Sequence, residues 1–221
     1  MSDSDDDIPT LSAHTLAALR EFYEESRSEN SRDDPSTAAD HFTVGALSED
    51  WRMSQFWYTD DTATRLAEEL LLQAGGGGRI ACVSAPSVYQ KLKQLCGPDH
   101  GPAAMAVLEY DRRFAIYGDD FIFYDYNHPL AFAEHGVAPG SFDVVLADPP
   151  YLSEECLTKV AQTVKYLTKG KVLLCTGAIM ENLAKDLLDV KVCHFLPQHE
   201  RNLSNDFRCF VNYPSPLLLS R

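Results

Sequence analysis

Asp148-Pro149-Pro150-Tyr151 places a carboxylate, two consecutive prolines and a phenol ring directly after the apolar run Val144-Val145-Leu146-Ala147. That run reads as a buried strand, so the polar cluster stands at a strand end. The two prolines remove two backbone donors, and Pro149 steers Asp148 out of the helical region. What remains is a group of acceptors, the Asp148 carboxylate and the proline carbonyls, beside an aromatic ring. Such a group can hold an N–H donor without offering a competing donor, leaving a nitrogen lone pair free to form a bond. A rigid strand-to-helix turn with an exposed tyrosine is the plainer reading of the same four residues.

Three other predicted strands end in polar residues as well. The first closes on Ser84-Ala85-Pro86-Ser87, the second on Glu109-Tyr110-Asp111 and the third on Asp125-Tyr126. In an open parallel sheet, ligands bind outside the carboxyl ends of the strands, so these four ends belong to one candidate site. A carboxylate closing the second strand can accept from both hydroxyls of a ribose, which singles out Glu109. Asp111 either shares that face or caps the next turn. Asp125 is placed to accept from an adenine amino group. Each carboxylate alone reads equally well as a solvated strand end; the four ends together favour a ligand.

The elements that must position these residues alternate along the chain. Strands are expected at 79–84, 104–111, 121–126, 142–150 and 171–177, with helices at 61–74, 87–96, 153–168 and 178–188. Two last strands, 190–197 and 207–214, have no helix between them and read as an antiparallel hairpin. The expected fold class is α/β: a Rossmann-like, seven-strand, mostly parallel sheet closed by a C-terminal antiparallel hairpin, as in methyltransferases. Gly75 to Gly78 invite a phosphate-loop reading, but no Gly-Lys-Ser/Thr follows and they precede a strand, so they read as a helix stop.

The sequence has 221 residues, room for one main domain with an appendage. In residues 1–50 thirteen acidic side chains face Arg20, Arg27 and Arg32, so the net charge of −14 resides mostly there. Residues 1–40 are expected to be an acidic, partly disordered extension carrying one amphipathic helix from Leu11 to about Arg27, and residues 41–221 the main domain. The extension either steers a basic protein surface or only solubilises the chain. No basic stripe is visible, which argues against a nucleic-acid partner. No apolar run is long enough for a membrane span, and the acidic N-terminus is not a signal peptide. The six cysteines form no C-x-x-C pair and the histidines have no ligand spacing, so no metal site is expected and a reduced, cytoplasmic setting is.

The stretches "LEYD", "FYDY" and "FDVVLADPPY" resemble the motifs of S-adenosylmethionine-dependent amino-methyltransferases whose signature is Asn/Asp-Pro-Pro-Tyr/Phe. With "SQFWY", "ACVSAPSVY", "DPPYLSEEC" and "LLCTGAIM", the chain from about residue 47 to 213 is similar to the eukaryotic translation elongation factor 1-alpha lysine methyltransferases. That family has also been described as N6-adenine-specific DNA methyltransferases. The resemblance implies S-adenosyl-L-methionine as cofactor, held by Ser84, Ala85, Pro86, Glu109, Tyr110, Asp111, Asp125, Tyr126 and Asp148. It implies a lysine of elongation factor 1-alpha as substrate and a catalytic group of Asp148, Pro149, Pro150 and Tyr151; a monomer is expected. Phe56, Trp57, Tyr58 and Tyr151 are the expected substrate contacts; the first three read equally as a core anchor. Aspartate in place of asparagine at 148 suits an amine that arrives charged and must lose a proton. An N6-adenine methyltransferase is the alternative enzyme, and a catalytically dead cofactor-binding scaffold the alternative of another class. Where many methyltransferases carry Gly-x-Gly after the first strand, this chain has Ala85-Pro86.

Overall fold

A computed structural model of the chain describes residues 56–96, 101–201 and 203–219. The expected N-terminal helix and linker lie outside the described residues. Seven strands form one sheet in the order β3-β2-β1-β4-β5-β7-β6. These are β1 (Arg79–Val83), β2 (Ala104–Glu109), β3 (Phe121–Phe123), β4 (Phe142–Ala147), β5 (Thr168–Gly177), β6 (Lys191–Val192) and β7 (Phe207–Val211). β1 to β5 run parallel; β7 is antiparallel to both β5 and β6. The mostly parallel Rossmann-like sheet with a closing antiparallel pair is therefore present.

Four helices cover it: α1 (Asp60–Ala74), α2 (Pro86–Leu95), α3 (Glu154–Leu167) and α4 (Glu181–Leu188). Alternation along β1 assigns the two faces, since successive strand side chains point to opposite sides. Ile80 and Cys82 join Leu66, Leu70, Val88 and Leu92 of α1 and α2. Ala81 and Val83 join Leu157, Val160, Val164, Ala184 and Leu188 of α3 and α4. Burying strands on both faces explains their near-continuous apolar sequence.

Two of these helices start on a side-chain cap. Thr59 caps α1 by accepting from the Thr62 amide at 3.3 Å, and Ser153 caps α3 by accepting from the Cys156 amide at 3.2 Å. Gly75 ends α1 with φ 66°, so the glycine run is a helix stop at the amino end of β1, away from the strand ends that carry the candidate site.

Several boundaries differ from expectation. β3 stops at Phe123 because Asp125 Oδ1 accepts from the Asn127 amide at 2.9 Å and turns the chain. β6 is two residues long, because His194 and Phe195 donate to the Leu218 carbonyl instead of extending the pair with β7. The expected helix at 178–188 divides into a 3-10 turn, Ala178–Met180, followed by α4.

The direction of chain travel reverses between β1 and β4: β2 and β3 lie on one side of β1, β4 and β5 on the other. In open α/β sheets a crevice forms at that switch point, outside the carboxyl ends.

Candidate active site

A cavity of about 490 Å³ occupies that crevice. Its wall includes Ser84 to Ser87 after β1, Glu109 and Tyr110 at the end of β2, and Tyr124 to Asn127 after β3. Asp148 to Leu152 follow β4 on the same wall. All four expected strand ends thus meet at one place. Among the described residues the lining carries three carboxylates, Glu109, Asp125 and Asp148, and neither lysine nor arginine.

The turn after β1 is made by Ser84 at φ 54°, a left-handed backbone usually left to glycine. Its amide donates to the Leu108 carbonyl at 2.8 Å, and Pro86 then opens α2 without wasting an amide donor. Ala85 and Pro86 are buried beneath the crevice, so here the close approach elsewhere provided by Gly-x-Gly is made by small side chains.

Glu109 is only 7% exposed. Its Oε1 accepts from the amides of Tyr110 at 3.0 Å and Asp111 at 3.2 Å, which fixes the carboxylate against its own turn. Burial pushes its carboxyl up to about 7 in spite of those two amides. Asp111, offered as a second cofactor carboxylate, does not line the cavity. It caps the 3-10 segment Arg112–Asp120 by accepting from the Arg113 amide at 2.9 Å, and pairs with the Arg113 guanidinium at 2.6 Å. The capping alternative describes it. Tyr110 stands 54% exposed with its ring 5.6 Å from that of Phe123, and Asp125 is held by its turn to Asn127.

Asp148 is half-buried and anchored at both ends. Its amide donates to the Val83 carbonyl at 3.0 Å, and its Oδ2 accepts from the Tyr58 hydroxyl at 2.7 Å. Burial lifts its carboxyl to about 7, the Tyr58 hydrogen bond pulls it down, and the charge of Glu109 lifts it further. Pro149 is buried, Pro150 half-buried, and Tyr151 exposed at the rim with its ring 5.8 Å from that of Tyr126.

The aromatic triplet divides. Phe56 and Trp57 line the cavity, and Trp57 is also a core anchor, 4% exposed, with its ring edge-on to Phe114 at 6.3 Å. Tyr58 does not line the cavity; at 3% exposure it stands behind Asp148.

One wall was not among the expected site residues. His199, Leu203, Ser204 and Asn205, from the connection between β6 and β7, and Phe207, the first residue of β7, line the cavity opposite the strand ends. The signal available was length: this connection runs from 193 to 206, longer than a hairpin needs. It is tied to the segment ahead of α1, with Thr59 N donating to Gln198 O and Glu200 N to Trp57 O, both at 2.9 Å. Among the described residues no cluster of His, Cys, Asp or Glu could hold a metal ion, and no helix is long and apolar enough to cross a membrane.

Residues 49–215 match a sequence family described as probable N6-adenine methyltransferase. The chain is 62% identical over 219 residues to the EEF1A lysine methyltransferase 1 of Mus musculus, and 57% identical over 218 residues to that of Homo sapiens, covering 98% of both chains in each case. It is 37% identical to the protein-lysine N-methyltransferase EFM5 of Saccharomyces cerevisiae, covering 92% of each chain. Among solved structures, a branched-chain polyamine synthase mutein from Thermus thermophilus superposes with a TM-score of 0.54 at 12% identity, over 79% of this chain and 62% of that one. That likeness concerns the fold alone.

Proposed function

The chain belongs to the EEF1A lysine methyltransferase 1 family, the family also described as probable N6-adenine methyltransferases, and on that premise we propose that it methylates the ε-amine of a lysine in translation elongation factor 1-alpha, using S-adenosyl-L-methionine. One observation carries the chemistry: the acceptor group Asp148-Pro149-Pro150 forms part of a cavity whose described lining residues include three carboxylates and no cationic side chain. A carboxylate lifted to about 7 by burial regains its charge when a cation comes to rest beside it. The site therefore suits two cations, a sulfonium and a lysine ammonium.

The residues fit the cofactor. A volume of about 490 Å³ lies in the usual range for such ligands. Glu109, with Oε1 already held by two amides, has Oε2 for the ribose hydroxyls. Asp125, beside Asn127, is the acceptor for an adenine amino group. Ser84 to Ser87, at the positive N-terminal end of α2, suit the amino-acid carboxylate. When bound, the cofactor supplies an electrophilic methyl carbon on sulfur.

The chain's own work is to hold the nucleophile. Asp148 Oδ1 and the Pro149 carbonyl accept from the lysine nitrogen, and the missing proline donors leave its lone pair unopposed. The nitrogen arrives protonated and must lose a proton; Asp148 takes it directly or passes it to water. Tyr151 and Tyr126, edge-on at 5.8 Å, pack against the aliphatic stem and tolerate the charge beside their faces. Positioning of this kind is the principal lever for an in-line displacement.

The same proposal has the enzyme work as a monomer in the cytoplasm, a setting that suits six free cysteines. A base could stack on Tyr151 in an adenine methyltransferase, but the described lining, without lysine or arginine, offers a phosphate backbone nothing to pair with. The test incubates the protein and labelled S-adenosylmethionine with cell lysate, with and without nuclease. A labelled protein band that survives nuclease supports lysine methylation; label confined to nucleic acid reverses the reading.

A further inference from the structure

Tyr58 comes from the segment ahead of α1, ninety positions before Asp148, yet its hydroxyl donates to Asp148 Oδ2 at 2.7 Å. The ring is buried, and the residues that hold it belong to the cavity wall formed by the β6–β7 side. Its backbone forms an isolated antiparallel bridge with His199, and its ring lies 4.8 Å from the His199 ring, which in turn sits 4.7 Å from Phe207. The Gln198 amide donates to Thr62 Oγ1 at 3.0 Å, fastening the same connection to the first turn of α1.

A carboxylate rotates freely about its last bond unless something holds one oxygen, because that torsion has no sharp preference. With its backbone tied to Val83 and Oδ2 taken by Tyr58, Asp148 has one oxygen, Oδ1, for the cavity. We propose that Tyr58 is a positioning residue for methyl transfer: it locks the Asp148 carboxylate so that Oδ1 alone meets the target amine, and the 56–59 segment and the β6–β7 connection serve as its mount. This rests on the role given to Asp148 above.

A tyrosine that only filled space would leave ionisation at Asp148 unchanged. Burial raises the Asp148 carboxyl most, and the hydrogen bond from Tyr58 opposes it by favouring the carboxylate, so loss of the hydroxyl should show in the pH behaviour. The other titratable groups facing the pair are Glu109 from the end of β2, Cys156 of α3, Cys175 of β5 and Cys209 of β7, with His199 against the Tyr58 ring. All of them remain in a Tyr58 variant, so a change in pH behaviour is assigned to the lost hydroxyl.

The experiment measures cofactor binding and the pH profile of kcat and kcat/KM for three proteins: Tyr58→Phe, a 2,3-difluorotyrosine at position 58, and Asp148→Ala. Tyr58→Phe should lower kcat about tenfold to a hundredfold, with cofactor affinity within about twofold, and move the acid limb of kcat/KM to higher pH. The fluorinated ring keeps its shape and donates more strongly, so it should preserve turnover and move the limb to lower pH. It also covers the case in which Tyr58→Phe does not fold. An acid limb unmoved by the fluorinated ring, or wild-type kcat in Tyr58→Phe, overturns the inference while leaving the function intact. Retained turnover in Asp148→Ala overturns instead the role of Asp148 on which it rests.

Discussion

Glu109 and Asp148 close β2 and β4 on either side of β1, and the charge of Glu109 adds to the burial that lifts the Asp148 carboxyl to about 7. Glu109 itself is lifted to about 7 by its own burial. Two carboxylates are thus held close to neutrality at one crevice, where no cationic side chain among the described lining residues relieves them.

Stability should depend on pH accordingly. Unfolded carboxyls titrate near 4, these two near 7, so between those values the folded chain binds more protons than the unfolded one. Their contribution is complete below about pH 4 and is lost as pH rises through about 7. Asp148→Asn and Glu109→Gln should therefore each be more stable than the native protein at pH 8, by on the order of 2 kcal/mol, and no more stable at pH 4. Urea denaturation of the ligand-free protein at both values measures this; equal stability at pH 8 would refute it.

Cofactor affinity should separate from turnover at Glu109. Glu109→Gln removes an ionised acceptor and should weaken S-adenosylmethionine binding about tenfold to a hundredfold, with kcat at saturation within a few-fold. Calorimetry and steady-state kinetics together decide it, and an unchanged Kd would remove Glu109 from the cofactor site.

Asp148→Asn keeps the shape and the bond from Tyr58 but cannot take a proton. Turnover on lysine should fall about a hundredfold or more at pH 7, and raising the pH should recover part of it by deprotonating the substrate. A variant as fast as the native enzyme at pH 7 would show that water alone removes the proton.

The four consecutive glycines should not be equivalent. A methyl group on Gly78 would stand 2.2 Å from the Ala74 carbonyl oxygen, whereas one on Gly76 meets nothing within 4 Å. Gly78→Ala should cost about 1–3 kcal/mol and Gly76→Ala about 0.5 kcal/mol or less, read from thermal denaturation. Cofactor affinity should be unchanged in Gly76→Ala, since these glycines stand at the opposite end of β1 from the cavity.

Deleting residues 1–40 removes much of the negative charge of the chain. If that charge steers a basic protein surface, kcat/KM for the protein substrate should fall several-fold at low ionic strength and converge with the full chain above about 0.5 M salt. Equal rates at low salt would leave the segment a solubilising tail.

The sequence by itself determined the βα alternation, the terminal antiparallel pair and the four strand ends that meet at the crevice. All of these follow from short-range signals: a period of two or 3.6 residues, a glycine run, a proline pair. Only the tertiary structure decided that Asp111 turns to Arg113, that β7 enters between β5 and β6, and that the 193–206 connection forms the second wall. It alone decided that Tyr58 faces Asp148 and not the cavity. The reason is physical: periodicity fixes which way a side chain points within its own element. What that side chain touches ninety residues away depends on the path of the chain around the sheet, and no local pattern records that path.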